Sequence, residues 1–334
     1  MAEQALPLSD LLDSLTGLAQ GSVDLWEASS GGRAELINVS ENVTYLIHAP
    51  NGTKSVLRVH RAGYHSRRAI ECELAWLDAL REGEVIAVPR PLTAKSGARI
   101  EEAHASELEA PRFLVLFEYI EGAEPDAGGD LVPLFHTLGE MAAKCHVHTL
   151  AWDRPEPFER LTWDTDAVFG ARPIWGDWRE APEVTAPISG VLERVEEKVI
   201  ARLTAYGRGR DRFGLIHADM RLANILTAQD RPWLIDFDDC GFGWLMYDFA
   251  AAISFIEDDP RIPALKAAWL AGYQTQRPLS PADLAEIDTL IMLRRMALLA
   301  WIGSHIEAPE PQVLAPGFAR TTAHLGQAWL ESLP

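Results

Sequence analysis

Near residue 121 the hydrophobic period of the chain changes, and that change limits the available folds more than any other feature. Before it, AELINVSENVTYLIHAPNGTKSVLRVHR alternates apolar with polar residues, and Asn51-Gly52 is a hairpin turn signal. The alternation predicts antiparallel strands near 34–40, 42–49 and 54–60, after a short helix at 8–19. IECELAWLDAL then places Ile70, Leu74, Leu77 and Leu80 at helical spacing, and FLVLFEYI (113–120) reads as a buried strand. EGAEPDAGGD, rich in Gly and acidic residues with one Pro, suits a linker. Beyond it, Leu131, Leu134, Leu138, Met141 and Cys145 mark one long helix, and Val191, Val195, Val199 and Leu203 another. Helices are also expected over 283–303 and 319–331, with strands only near 215–216, 224–227 and 232–237. Between the helices, 151–189 is rich in Pro and Trp and shows no periodicity.

Composition narrows the class of partner. The net charge of −19 leaves no basic patch for a polyanion, so nucleic acid is not an expected ligand. No apolar run approaches the roughly 20 residues that span a bilayer, so no membrane segment is expected. MAEQALPLSDLLDSL lacks a basic start and an apolar core, and reads as no signal peptide. Cys72, Cys145 and Cys240 have no CxxC spacing, which points to a reducing, cytoplasmic setting without a zinc knuckle.

The chemistry is concentrated in two stretches. Residues 217–224 read HADMRLAN, an H-x-D-x4-N pattern with the Asp-to-Asn interval of a kinase catalytic loop. Twelve positions beyond Asn224, WLIDFDD brings in Asp236, expected on a strand. Phosphoryl transfer needs a carboxylate for the nucleophile's proton, hard oxygen ligands for Mg²⁺, and cations to offset phosphate charge. Alone, the first pattern is a modest signal; followed by an apolar pair and Asp at this distance, it becomes specific.

Together with NVSENVTY, VLRVHR, ECELAWLDAL, FEYIEG, LGEMAAKCH and IDFDDCGFGWLMYDFA, these stretches make the chain resemble the aminoglycoside phosphotransferase/choline kinase family. Within that family it is most similar to the homoserine kinase-like, hydroxylysine kinase-like and stress-response Ser/Thr kinase-like branch. The resemblance implies an α+β, bilobal, protein-kinase-like fold. A five-stranded antiparallel sheet plus helix (1–120) would be joined by a hinge at 117–122 to a mainly helical lobe (121–334), with the active site between them.

It also implies roles. Asp219 resembles the catalytic base, Asn224 and Asp236 the metal ligands, and Arg221 the cation that touches the transferred phosphate. Arg58 takes the third-strand Lys position, paired with Glu73, and the backbone at Glu118 and Ile120 would bind adenine. There is no G-x-G-x-x-G, so Ser40, Glu41 and Asn42 would close over the phosphates with non-glycine backbone. Arg in place of Lys keeps the charge but offers a planar fork. DFG has become Asp236-Phe237-Asp238 with no A-P-E following, which argues against an ordinary eukaryotic-type protein kinase.

Plainer roles compete for other residues. His217 is expected to brace its loop, Asp248 to pin it, and Glu101, Glu102, Glu107 and Glu109 to form a solvated acidic loop. His146 and His148 are not read as a metal pair, since residues two apart on a helix point about 200° apart. In the 236–239 loop, Asp238 and Asp239 can support the metal or face a cationic substrate, and Trp175 and Trp178 are weaker substrate candidates. The expected function is ATP- and Mg²⁺-dependent phosphorylation of a hydroxyl on a small molecule. A zwitterionic hydroxy amino acid ranks first, with Arg179 for its carboxylate, and amino alcohols come next. A protein Ser/Thr kinase, a nucleotide-binding pseudokinase and a metal-dependent hydrolase are the rival readings.

Overall fold

The computed structural model describes residues 7–228 and 231–333. The first residues of the segment read for a signal peptide lie outside that range. The chain forms two compact units: one holds the chain up to Arg81, Val88–Glu121 and Arg154–Glu159, and the other holds Glu82–Ala87, Gly122–Asp153 and the chain from Arg160 onward.

The first unit contains α1 (Leu8–Ser22), β1 (Arg33–Val39), β2 (Val43–His48), β3 (Lys54–Val59), α2 (Arg67–Glu82), β4 (Glu101–Ala103) and β5 (Arg112–Glu118), with the last residue of α2 falling in the second unit. The strands form one antiparallel sheet in the order β1-β2-β3-β5-β4. Alternation along β2 buries Val43, Tyr45 and Ile47, which join Leu15 and Leu18 of α1 and Trp26 in a single core. Glu101 and Glu102 lie in β4, the edge strand, and not in a solvated loop; only Glu107 and Glu109 fit that description. Pairing along β5 outweighed their charge.

The second unit contains α3 (Val132–Ala151), β6 (Leu161–Trp163), α4 (Thr165–Phe169), α5 (Ala186–Tyr206), β7 (Phe213–Ile216), β8 (Ile225–Ala228), β9 (Arg231–Leu234), β10 (Gly241–Trp244), α6 (Tyr247–Ala252), α7 (Ile262–Gln274), α8 (Pro281–Ser304), α9 (Pro309–Leu314) and α10 (Phe318–Ser332). β6, α4 and α7 had no sequence signal, the first two because the Pro/Trp-rich segment is too short for a period to register. From Thr289 to Ile302, α8 is buried on nearly every side, which makes it the central helix of the unit. No helix among the described residues is long and apolar enough to cross a membrane.

α3 and α7 cross so closely that a Cβ at Gly272 would lie 1.8 Å from the His136 carbonyl oxygen. Backbone, unlike a side-chain tip, cannot yield to such an overlap. Gly272→Ala is expected to destabilise the protein by about 1–3 kcal/mol or more. A fall in Tm in thermal unfolding checks it, and an unchanged Tm would mean that the crossing tolerates separation.

Candidate active site

Two small sheets bring the chemistry-bearing loops together in the second unit. β10 pairs with β6 on one side and β7 on the other, so Gly241 faces both Leu161 and Ile216. A Cβ at Gly241 would lie 2.5 Å from the Leu161 carbonyl oxygen, so only glycine allows this approach. His217 comes directly after Ile216, and Cys240 directly precedes Gly241; the 217–224 loop thus starts beside the point where the 236–240 loop ends. β8 and β9 form the second ladder. Just past it, the Ile235 N–H donates to the Asn224 carbonyl (2.9 Å), which sets Asn224 beside the residue preceding Asp236. Asp236 is not on a strand as expected: β9 ends at Leu234, and Asp236 turns the chain with φ +60°.

The 217–224 loop hangs on a fully buried carboxylate. Asp248 Oδ2 accepts from the His217 N–H (3.2 Å) and Oδ1 from the Ala218 N–H (2.7 Å). His146 Nε2 lies 2.9 Å from Asp248 Oδ2, and His146 Nδ1 lies 2.9 Å from the Tyr273 hydroxyl. His146 is therefore a brace for Asp248. Ala218 has φ +67°, a left-handed conformation costing an L-residue roughly 1–2 kcal/mol, and the bond to Asp248 helps to hold it there. His217 braces the loop too: Nε2 lies 3.2 Å from the Ile235 carbonyl, and the Asp219 N–H donates to Nδ1 (3.2 Å). Those partners fix one neutral tautomer, and burial keeps the imidazole below its usual pKa.

Asp219 is held from both sides. Asn224 Nδ2 donates to Asp219 Oδ2 (2.6 Å) and to the Asp219 carbonyl (2.9 Å), and Arg294 Nη2 donates to Oδ1 (2.5 Å). Arg221 Nε is 3.7 Å from Oδ2, while its Nη1 pairs with Glu310 (2.6 Å). Burial alone would raise the Asp219 carboxyl, but Arg294 and Arg221 outweigh it and keep the group below the usual carboxylate range.

The 236–240 loop is fixed through its backbone. Arg160 donates to the carbonyls of Asp238 and Cys240, and Trp163 Nε1 to the carbonyl of Asp239 (2.7 Å). Asp238 and Asp239 are both more than nine-tenths buried. Burial opposes the charge on Arg294, yet Tyr247, Asp219 and Asp239 hold its guanidinium protonated above the usual arginine range. Trp175 packs on Trp163 (centroids 4.8 Å apart) and under Arg294 (5.3 Å). Trp178 is 1% exposed, donates to Glu196 (2.8 Å) and lies under Arg179, so its expected substrate role has no support.

In the first unit, Arg58 on β3 meets Glu73 on α2 at 2.7 Å, with both side chains buried, and lies over the Phe117 ring. Ser40, Glu41 and Asn42 form the short connection after the last β1–β2 pair, Val39 with Val43. The Ser40 N–H donates to the Asn42 carbonyl (2.9 Å), and none of the three has a positive φ, so the turn needs no glycine. Glu118 accepts from Arg81 (2.9 Å) and from the Arg90 N–H (2.8 Å) through its side chain. Its own N–H donates to the Arg90 carbonyl (2.9 Å), which leaves the carbonyl as the group it can offer to a base; Ile120 follows just past the end of β5.

Sequence reasoning passed over Arg294, Glu310 and Arg160. A charged pair inside the apolar run IMLRRMALLA was the available signal for Arg294, because a buried arginine demands a buried partner. Asp248→Ala would leave two backbone N–H groups and His146 without their acceptor, and is expected to cost about 2–5 kcal/mol. Chemical denaturation checks the figure, and a loss under 1 kcal/mol would show that the loop stands without Asp248.

The model of the phosphotransferase enzyme family matches residues 34–287. The amicoumacin kinase of Bacillus subtilis (strain 168) is 25% identical over 263 residues, 74% of each chain. The solved structure of a microcompartment-associated aminopropanol kinase is 42% identical with a TM-score of 0.86, covering 94% of this chain and 97% of that one. The amicoumacin kinase hAmiN, solved with AMP-PNP, Ca²⁺ and Ami, shares the fold at 19% identity and a TM-score of 0.76, over 95% and 96% of the two chains. The chain belongs to the phosphotransferase enzyme family, as a phosphotransferase of kinase-like fold.

Proposed function

We propose that the protein transfers the γ-phosphoryl group of ATP, with Mg²⁺, to the hydroxyl of a small amino alcohol. The observation that carries this reading is Asp219: an ionised carboxylate held between Asn224 and Arg294 in a loop of the kinase pattern. Asp219 orients the acceptor hydroxyl and takes its proton. With Asn224 Nδ2 turned to Asp219, its amide oxygen is left as a hard donor, and Asp236 adds a carboxylate; this pair suits Mg²⁺, which takes the rest of its shell from phosphate and water. The metal, when bound, neutralises charge on the phosphates. Arg58, set by Glu73, and the Ser40–Asn42 turn serve the nucleotide phosphates, while the Glu118 carbonyl and the backbone at Ile120 serve adenine. Arg221 serves the transferred group.

Two observations favour an amino alcohol over a hydroxy amino acid. One solved structure 42% identical to this chain, with a TM-score of 0.86, is that of a microcompartment-associated aminopropanol kinase. Arg179, the expected carboxylate partner, is already engaged by Asp177 and Glu196. The net charge of −19 also draws cationic acceptors and repels acidic ones. Three free, buried cysteines fit a reducing cytoplasm.

ADP release should show kcat/KM at least about tenfold higher for 1-amino-2-propanol than for 2-propanol, as one ammonium contact of roughly 1.4 kcal/mol provides. Asp219→Asn should lower kcat by about two to four orders of magnitude with nucleotide binding retained. Equal use of both alcohols, or turnover only with a protein Ser/Thr, would overturn the acceptor assignment.

The metal assignment has its own check. Calorimetric titration with MgATP should show weaker binding for Asp236→Ala than for Asn224→Ala, because Asp236 brings the formal charge. Wild-type affinity in both variants would place the metal elsewhere.

A further inference from the structure

Arg294 lies far from the motifs in sequence, yet it touches the carboxylate on which the proposed reaction turns. It sits mid-way along α8, 1% exposed, in the most enclosed stretch of that helix. Its Nη2 donates to Asp219 Oδ1 (2.5 Å) and its Nε to Ser254 Oγ (3.1 Å). The rings of Trp175 and Tyr247 lie 5.3 and 5.9 Å from the guanidinium carbon. A guanidinium so enclosed is costly to desolvate, and an apolar residue of similar volume would serve packing alone as well or better. The second oxygen of Asp219 is held by Asn224 (2.6 Å), and Arg221 Nε stands 3.7 Å from that same oxygen.

Resting on the reading of Asp219 as the acceptor-side carboxylate, we propose that Arg294 is a positioning residue that keeps the Asp219–Arg221 ion pair loose, at 3.7 Å and short of a direct hydrogen bond. With Oδ1 tied to α8 and Oδ2 to Asn224, the carboxylate plane is fixed, and each oxygen keeps a lone pair for the acceptor hydroxyl. Without Arg294, the nearest remaining cation is Arg221. Asp219 would close its present 3.7 Å ion pair with Arg221 into direct hydrogen bonds, which would occupy both the group meant for the hydroxyl and the group meant for the transferred phosphoryl. Arg294 thus keeps two opposite charges in one loop available for different parts of the reaction. Its brace to Ser254 and the aromatic faces around it give the guanidinium a single orientation.

The test is steady-state ADP release with MgATP and 1-amino-2-propanol for wild type, Arg294→Met and Arg294→Lys. At saturation, kcat should fall about a hundredfold in Arg294→Met, while both KM values and the MgATP Kd stay within about threefold. Arg294→Lys restores a cation with a shorter reach and should recover about a tenth or more of wild-type kcat. A kcat within about threefold of wild type in Arg294→Met, or a loss matched in MgATP affinity, would overturn the proposal. Should Arg294→Met not fold, Ser254→Ala carries the test, since it keeps the charge and removes only the brace. That variant should lose about fivefold in kcat with unchanged KM values, and wild-type kcat there would overturn the positioning role. Asp219→Asn separates the two levels: if that variant turns over normally, the reading of Asp219 fails, whereas an inactive Asp219→Asn beside a fully active Arg294→Met refutes only the role of Arg294.

Discussion

The second unit is organised around the carboxylate of Asp248. One buried side chain takes two consecutive backbone N–H groups, from His217 and Ala218, and is itself steadied by His146 on α3 and, through it, by Tyr273 on α7. A loop of short polar residues has little apolar surface with which to hold its own shape. Here its first turn is fixed by charge-assisted hydrogen bonds to a group that two helices support. The left-handed Ala218 and the ordered Asp219 follow from that anchorage.

Buried arginine–carboxylate pairs recur in both units. Arg58 is matched by Glu73, Arg294 by Asp219, and Arg295 by Glu257 at 2.5 Å. In a chain of net charge −19 these arginines are a small part of the charge inventory, yet they are among the charges withdrawn from water. Such pairs add little net stability, because desolvation offsets attraction, and their use is to fix direction. The 236–240 loop is gripped in turn through its carbonyls, by Arg160 and Trp163.

Much of the architecture was legible in the sequence, for physical reasons. The two-residue alternation of β2 and the spacing of Leu131 to Cys145 and Val191 to Leu203 are direct imprints of one-sided burial, and those elements lie within a few residues of their expected bounds. Elements without that imprint were missed: β6 spans three residues, β4 carries glutamates on an edge, and Asp236 occupies a turn where an apolar pair had suggested a strand. The contacts of Asp219 divided in the same way. Asn224 is five positions away and visible as spacing, whereas Arg294 is 75 positions away and reaches Asp219 only because α8 is buried beside the loop.

The connection between β1 and β2 has a thermodynamic consequence. Ser40, Glu41 and Asn42 make the turn with ordinary torsions, and Asn42 Oδ1 accepts from the Arg61 N–H (3.1 Å). A glycine-rich segment samples many conformations when free and gives them up when ordered, whereas three residues with side chains have fewer to lose. In the role proposed for it, ligand capture by such a turn would carry a smaller entropic penalty and a narrower tolerance for ligands of other shapes. A preformed edge of this kind would select by fit where a supple loop would select by closure.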